Sequence, residues 1–119
     1  MIIAIPTNGH QGLKEQVAEH FGRCYTYTLI DENGKLLKII DNTSEHMGGY
    51  GLPPELLKAQ NVDVLLCKGL GSRALDWFER YGIKVYICNS DTVKEIYQEW
   101  KHGKPKKADS KDACRGAHN

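Results

Sequence analysis

The chain has 119 residues, 26% of them charged and 40% hydrophobic, with a formal net charge of +1. That length fits one domain able to bury a core without disulfides or structural metal. The near-neutral balance gives no strong case for nucleic-acid binding through bulk electrostatics. No basic leader follows Met1 and no apolar stretch is long enough for a membrane span, so a cytoplasmic protein is expected, with its four cysteines as free thiols.

In chain order, residues 2–5 (Ile-Ile-Ala-Ile) read as a buried strand, followed by the loop Pro6-Thr7-Asn8-Gly9-His10. Leu13, Val17 and Phe21 then recur at helical spacing with Lys14, Glu15 and Glu19 on the other face, which predicts a helix over 12–21. Phe21-Gly22-Arg23-Cys24 closes it, and Tyr25 to Ile30 alternates like a strand. Asn33-Gly34 is a hairpin signal because both turn positions tolerate positive φ, so Leu36 to Ile40 should return antiparallel. Asp41 to Gly51 is glycine-rich and polar, a loop.

Pro53 and Pro54 suit the first turn of a helix that reaches about Gln60. From Val62 the rhythm is β-α-β-α. Val62 to Cys67 is an apolar strand, Gly69-Leu70-Gly71 a tight turn, and Ser72 a candidate N-cap for a helix stopped by Gly82. Lys84 to Cys88 is a second buried strand. The last helix starts at Asp91 or Thr92, where Thr92 and Glu95 have capping-box spacing, and it ends by Gly103. These elements predict an α/β domain over 1–103: a five-stranded mixed sheet in order 3-2-1-4-5, with helices on both faces and an antiparallel hairpin at one flank. Residues 104–119 have no large apolar side chain and read as a flexible polar tail.

In such a sheet, ligands bind beyond the carboxyl ends of the parallel strands. That edge collects Thr7, Asn8 and Gly9 after the first strand, Gly69, Gly71 and Ser72 after the fourth, and Asn89 to Asp91 after the fifth. Backbone N–H groups at Gly71-Ser72 favour an anion. Gly69-Leu-Gly-Ser-Arg-Ala74 also matches a dinucleotide fingerprint, but the chain is too short for a second mononucleotide half. Cys67 and Cys88 sit in apolar runs as core thiols, whereas Cys24 beside Arg23 has a neighbouring charge that favours its thiolate. His46 lies in a loop whose glycines, Gly48, Gly49 and Gly51, let it close over a ligand. Cys114-x-x-x-His118 forms a dense Cys/His pair in the tail, while His10 and His20 read as solvated. Cysteine plus histidine suits iron, zinc, copper or an iron–sulfur or molybdenum–sulfur cluster; a preassembled cluster needs one or two protein ligands, a bare zinc ion about four. No catalytic constellation stands out: no serine has a G-x-S-x-G setting, and Cys24 has no base fixed by the sequence.

The ordered set Met1-Ile-Ile-Ala-Ile-Pro-Thr7, Phe21-Gly-Arg-Cys24, Asn42, His46-x-Gly-Gly-x-Gly51, Val62-Asp-Val64, Gly69-Leu-Gly-Ser-Arg-Ala74, Gly82-Ile-Lys-Val85 and Thr92-Val93 resembles the dinitrogenase iron–molybdenum cofactor biosynthesis family over residues 1–103. The resemblance implies a ribonuclease H-like fold. It also implies a non-catalytic cytoplasmic protein that transiently binds or carries an iron–sulfur or molybdenum/iron–sulfur cluster, or its precursor. Partners would be metallocofactor assembly proteins or an acceptor apoprotein, with neither nucleic acid nor membrane involved. His46, Cys24, Cys114 and His118 are then the candidate metal ligands, the Cys114/His118 pair lying outside the shared core. Thr7, Asn8, Gly9, Arg23, Gly48, Gly49, Gly51, Gly69, Gly71 and Ser72 are the candidate cofactor contacts. An anion- or nucleotide-binding regulatory module, or an adaptor without a ligand, are the alternatives. The chain would be a monomer, or a dimer formed through an exposed third strand.

Overall fold

A computed structural model describes residues 1–44, 49, 51–103, 105, 107 and 108. Five strands, β1 (Ile2–Thr7), β2 (Thr26–Asp31), β3 (Leu36–Asp41), β4 (Val64–Cys67) and β5 (Lys84–Ile87), form one sheet in order β3-β2-β1-β4-β5. The β1–β2 and β2–β3 pairs are antiparallel; β1–β4 and β4–β5 are parallel. This is the ribonuclease H-like mixed sheet expected from the sequence. Three helices, α1 (Pro53–Ala59), α2 (Ser72–Tyr81) and α3 (Val93–Lys101), cover it.

The alternation of side chains along each strand sorts the core into two layers. Ala4, Tyr27, Leu29, Leu65 and Cys67 face α1 and α2, where Leu57, Leu75 and Phe78 bury against them. Ile3, Ile5, Ile30, Val64 and Leu66 face α3 through Val93, Ile96 and Tyr97. Thr92 caps α3 as its spacing predicts, its Oγ1 accepting from Glu95 N at 3.2 Å. Gly82, at φ +74°, ends α2 in the left-handed conformation.

The hairpin differs from the expected turn with two positive-φ residues. Among the described non-glycine residues positive φ occurs at Asn61 alone, so in the Asn33-Gly34 pair only Gly34 (φ +82°) is left-handed. Gly34 N donates to Asp31 O, and the Asp31 carboxylate accepts from Asn33 N and Lys35 N, so a side chain supplies what the tighter turn would have. A bulge at Leu37 follows on β3.

Two further differences matter for function. No helix forms over 12–21: a single 3₁₀ turn, Gly12–Lys14, gives way to extended backbone. In the segment read as a flexible tail, Lys107 bridges Tyr86, and Ala108 N donates to Val85 O at 2.6 Å. Ala108 is buried because β5 offers an open row of backbone groups and a methyl is small enough to sit over it. No helix among the described residues is long and apolar enough to cross a membrane.

Candidate functional site

The crevice between β1 and β4, where the strand order reverses, is filled by the chain itself. Residues 15–18 run extended past the end of β1, with Ala18 N donating to Pro6 O (2.8 Å) and Asn8 N to Gln16 O (3.1 Å). On their other side Val17 N donates to Asp91 O (2.8 Å), and Glu15 O accepts from Val93 N (3.0 Å). Phe21 N then donates to Gly69 O at 3.0 Å. These long-range bonds replace the i→i−4 bonds of the expected helix. Glu15, placed by its spacing on a solvent face, is 5% exposed, its carboxylate accepting from Gln11 N and Gln16 N. Lys68 pins the plug from below, its ammonium 2.6 Å from Asp91 and 3.3 Å from Glu19. The hydrogen bond to Asp91 raises its pKa above the usual lysine value.

This packing accounts for the first group of candidate contacts. Thr7 is sealed, its hydroxyl 2.6 Å from that of Thr26 and 2.9 Å from that of Thr28. Thr26 in turn donates to Gly9 O. A Cβ on Gly9 would meet Glu15 Oε1 at 2.6 Å, so any larger residue there would have to displace the carboxylate from its two backbone N–H partners. His10 is exposed and 2.8 Å from Asp41. Asn8 uses its backbone N–H inside the fold.

Where β2 begins and β3 ends, a second cluster lies on the α1–α2 side of the sheet. Asn42, 6% exposed, is its clamp: Nδ2 donates to Gly22 O and Cys24 O, both at 2.9 Å, while Oδ1 accepts from Ser44 N at 3.1 Å. Beneath the clamp Cys24 is 1% exposed, and burial pushes its thiol up from the ordinary value of 9.0. The charge of the exposed Arg23 therefore does not make it a ready thiolate, contrary to the expectation from their adjacency. Tyr27 stands next to it, fully buried, with a pKa well above 10.0 for the same reason. The Tyr27 and Ser44 hydroxyls are buried without a hydrogen-bond partner among the described residues. Cys67 and Cys88 are core thiols as expected, Cys88 held up at about 12 by burial and by Glu99.

Gly49 N donates to Ser44 O, and a Cβ there would lie 1.8 Å from Thr43 O, so that position admits only glycine. Gly51 has φ +74°. Gly71, rather than the expected Ser72, is the N-cap residue of α2, and no side chain caps it. α2 also lacks an acidic residue in its first turn, whereas α1 has Glu55 and α3 has Glu95. No carboxylate of its own first turn offsets its positive end, and Arg73 is exposed beside it, with Arg23 two residues beyond the Phe21–Gly69 bond. The arrangement suits an anion. Among the described residues no three His, Cys, Asp or Glu side chains converge to hold a metal ion. His46, Gly48, Cys114 and His118 lie outside the described residues.

A model of the family described as dinitrogenase iron-molybdenum cofactor matches residues 1–103. The chain belongs to this dinitrogenase iron–molybdenum cofactor family. The uncharacterized protein MJ0580 of Methanocaldococcus jannaschii is 30% identical to it over 112 residues, covering 90% of this chain and 91% of its own. The apo form of the orange protein (ORP) from Desulfovibrio gigas superposes with a TM-score of 0.80 at 25% identity, covering 90% of this chain and 92% of that one. The crystal structure of PH0822 superposes with a TM-score of 0.70 at 26% identity, over 91% and 96% of the two chains. The family's shared region thus spans the whole sheet and all three helices of this member, and stops before the segment that docks on β5.

Proposed function

We propose that the protein is a non-catalytic carrier of a preassembled, anionic iron–sulfur or iron–molybdenum-type cluster, or of its precursor, in metallocofactor assembly or trafficking. Family membership over residues 1–103 carries the reading. The donor set supports a cluster over a bare ion: the described surface offers backbone N–H groups and arginines, not three converging ligands. A cluster that brings its own sulfides needs only such a cradle and one or two side chains.

In this reading Gly71, Ser72 and the start of α2 face the cargo's negative charge, with Arg23 and Arg73 at the rim and Gly49 and Gly51 shaping the opposite wall. His46 is the first ligand. Cys24 would have to leave its place under Asn42 to reach a cargo, so it is second to His46. A helix start contributes roughly 0.3–1 kcal/mol toward an anion. Such a hold is weak enough to release the cargo to an acceptor apoprotein or to another assembly protein.

Anaerobic reconstitution with iron and sulfide, and separately with a thiomolybdate, tests this. A visible chromophore with bound metal is expected, weakened in His46→Ala. Unchanged spectra and metal content across wild type and variant would overturn the proposal.

A further inference from the structure

The outer surface where α1 meets α2 carries two aromatic rings and two cations, Lys58 and Arg80, that the cargo site does not use, and it reaches Arg73 at the rim of that site. Trp77 and Tyr81 lie one turn apart on α2, half-buried, with ring centroids 5.6 Å apart. The Arg80 guanidinium sits 5.1 Å from the centre of the Trp77 ring. From α1, the Lys58 ammonium lies 5.8 Å from the centre of the Tyr81 ring and donates to Tyr81 O at 3.3 Å. Arg73, exposed, falls four residues before Trp77 and so on the same side of the helix. The ion pairs among the described residues use Met1, His10 and Lys68, and none uses these three cations. Asp76 borders Arg73 and Arg80 at helical spacing but forms an ion pair with neither, and Glu79 falls on the other flank of α2.

We propose that this strip docks a carboxylate-rich segment of a partner protein. Ring contacts hold the Arg80 and Lys58 side chains in place before binding, which lowers the ordering cost of pairing them with carboxylates. The arginines present the fork that a carboxylate accepts in two hydrogen bonds. Three cations are too few to track a phosphate backbone, and cations occupy the ring faces on which bases would stack. The acidic partner is therefore favoured over a nucleic acid. The strip begins in the first turn of α2, so a protein seated on it stands next to the start of that helix. The inference goes beyond the carrier reading and holds whether or not the cargo is a cluster.

Poly-L-glutamate is the probe, added to the cargo-free full chain carrying Trp100→Phe, which leaves Trp77 as the one tryptophan of the original two. Saturable change of Trp77 emission is expected, weakening as salt rises, with zero-length carbodiimide coupling mapping to Lys58 by mass spectrometry. The double reversal Arg80→Glu/Lys58→Glu should weaken binding roughly tenfold or more. The milder Arg80→Gln/Lys58→Gln should weaken it in the same direction by a smaller factor, with circular dichroism unchanged. Undiminished binding in both double variants, a silent Trp77, or tighter binding of single-stranded oligothymidylate than of poly-L-glutamate would overturn the proposal. Cluster loading is read separately by its chromophore, so failure of one reading leaves the other standing.

Discussion

Asn42→Ala is expected to be among the most damaging polar substitutions in this chain. The Asn42 side chain makes three hydrogen bonds from a buried position: two to the carbonyls of Gly22 and Cys24, and one from Ser44 N. Alanine keeps the backbone and orphans all three groups. A buried unsatisfied group costs about 1–3 kcal/mol, and water entering the vacated space recovers part, so the net loss should be about 2–4 kcal/mol. For a domain of this size that is a fall in Tm of roughly 10 °C. Asn42→Asp sharpens the test. Its Oδ1 still accepts from Ser44 N, but its second oxygen, when ionised, faces two carbonyl oxygens. Burial and those carbonyls raise its folded pKa above the unfolded value, because the protonated form alone can donate. Stability is therefore best below the unfolded pKa and is lost as pH rises through the folded one. Urea unfolding of wild type, Asn42→Ala and Asn42→Asp at pH 4 and pH 7 reads both effects. The reasoning fails if Asn42→Ala stays within about 0.5 kcal/mol of wild type, a neutral surface change, or if Asn42→Asp is no worse at pH 7 than at pH 4.

Three more outcomes follow from the same geometry. Gly34→Ala should cost about 2–3 kcal/mol in chemical denaturation, because its φ of +82° is strained for alanine and the new Cβ meets Tyr97 Cε2 at 2.7 Å. Thr92→Ala should lose about 1 kcal/mol with the α3 cap, a loss that Thr92→Ser largely restores. Cys88 ionises near 9.0 when unfolded and at about 12 when folded. The unfolded chain releases this proton first, so stability present below pH 9 declines from there toward pH 12, and Cys88→Ala should flatten that decline in a pH series of unfolding curves.

The sheet was legible because its signals are local: the apolar runs at β1, β4 and β5, the Asn-Gly turn, and the glycines that punctuate α2. The 12–21 segment misled for a physical reason. Leu13, Val17 and Phe21 have helical spacing, yet Val17 reaches the core from extended backbone whose partners, Pro6, Asp91 and Val93, are distant in sequence or across a turn. The buried Glu15 and the small residue at position 9 are two halves of one contact and cannot be read apart. At the site, the glycines at 49, 51 and 71 and the family's motif order were visible, but the role of Asn42 depends on carbonyls 18 and 20 residues away. The reactive-thiol reading of Cys24 failed because adjacency to Arg23 in sequence says nothing of burial. Ala108 carries no apolar pattern to announce it; an open strand edge recruits it through backbone bonds.

Metal and acid-labile sulfide analysis of the protein purified anaerobically tests the carrier reading most directly, since it presumes no particular cluster. Iron with sulfide is expected, with or without molybdenum, in a coloured protein whose metal content and colour both fall in His46→Ala. A colourless, metal-free protein that remains so after anaerobic reconstitution with iron and sulfide or with a thiomolybdate would contradict it.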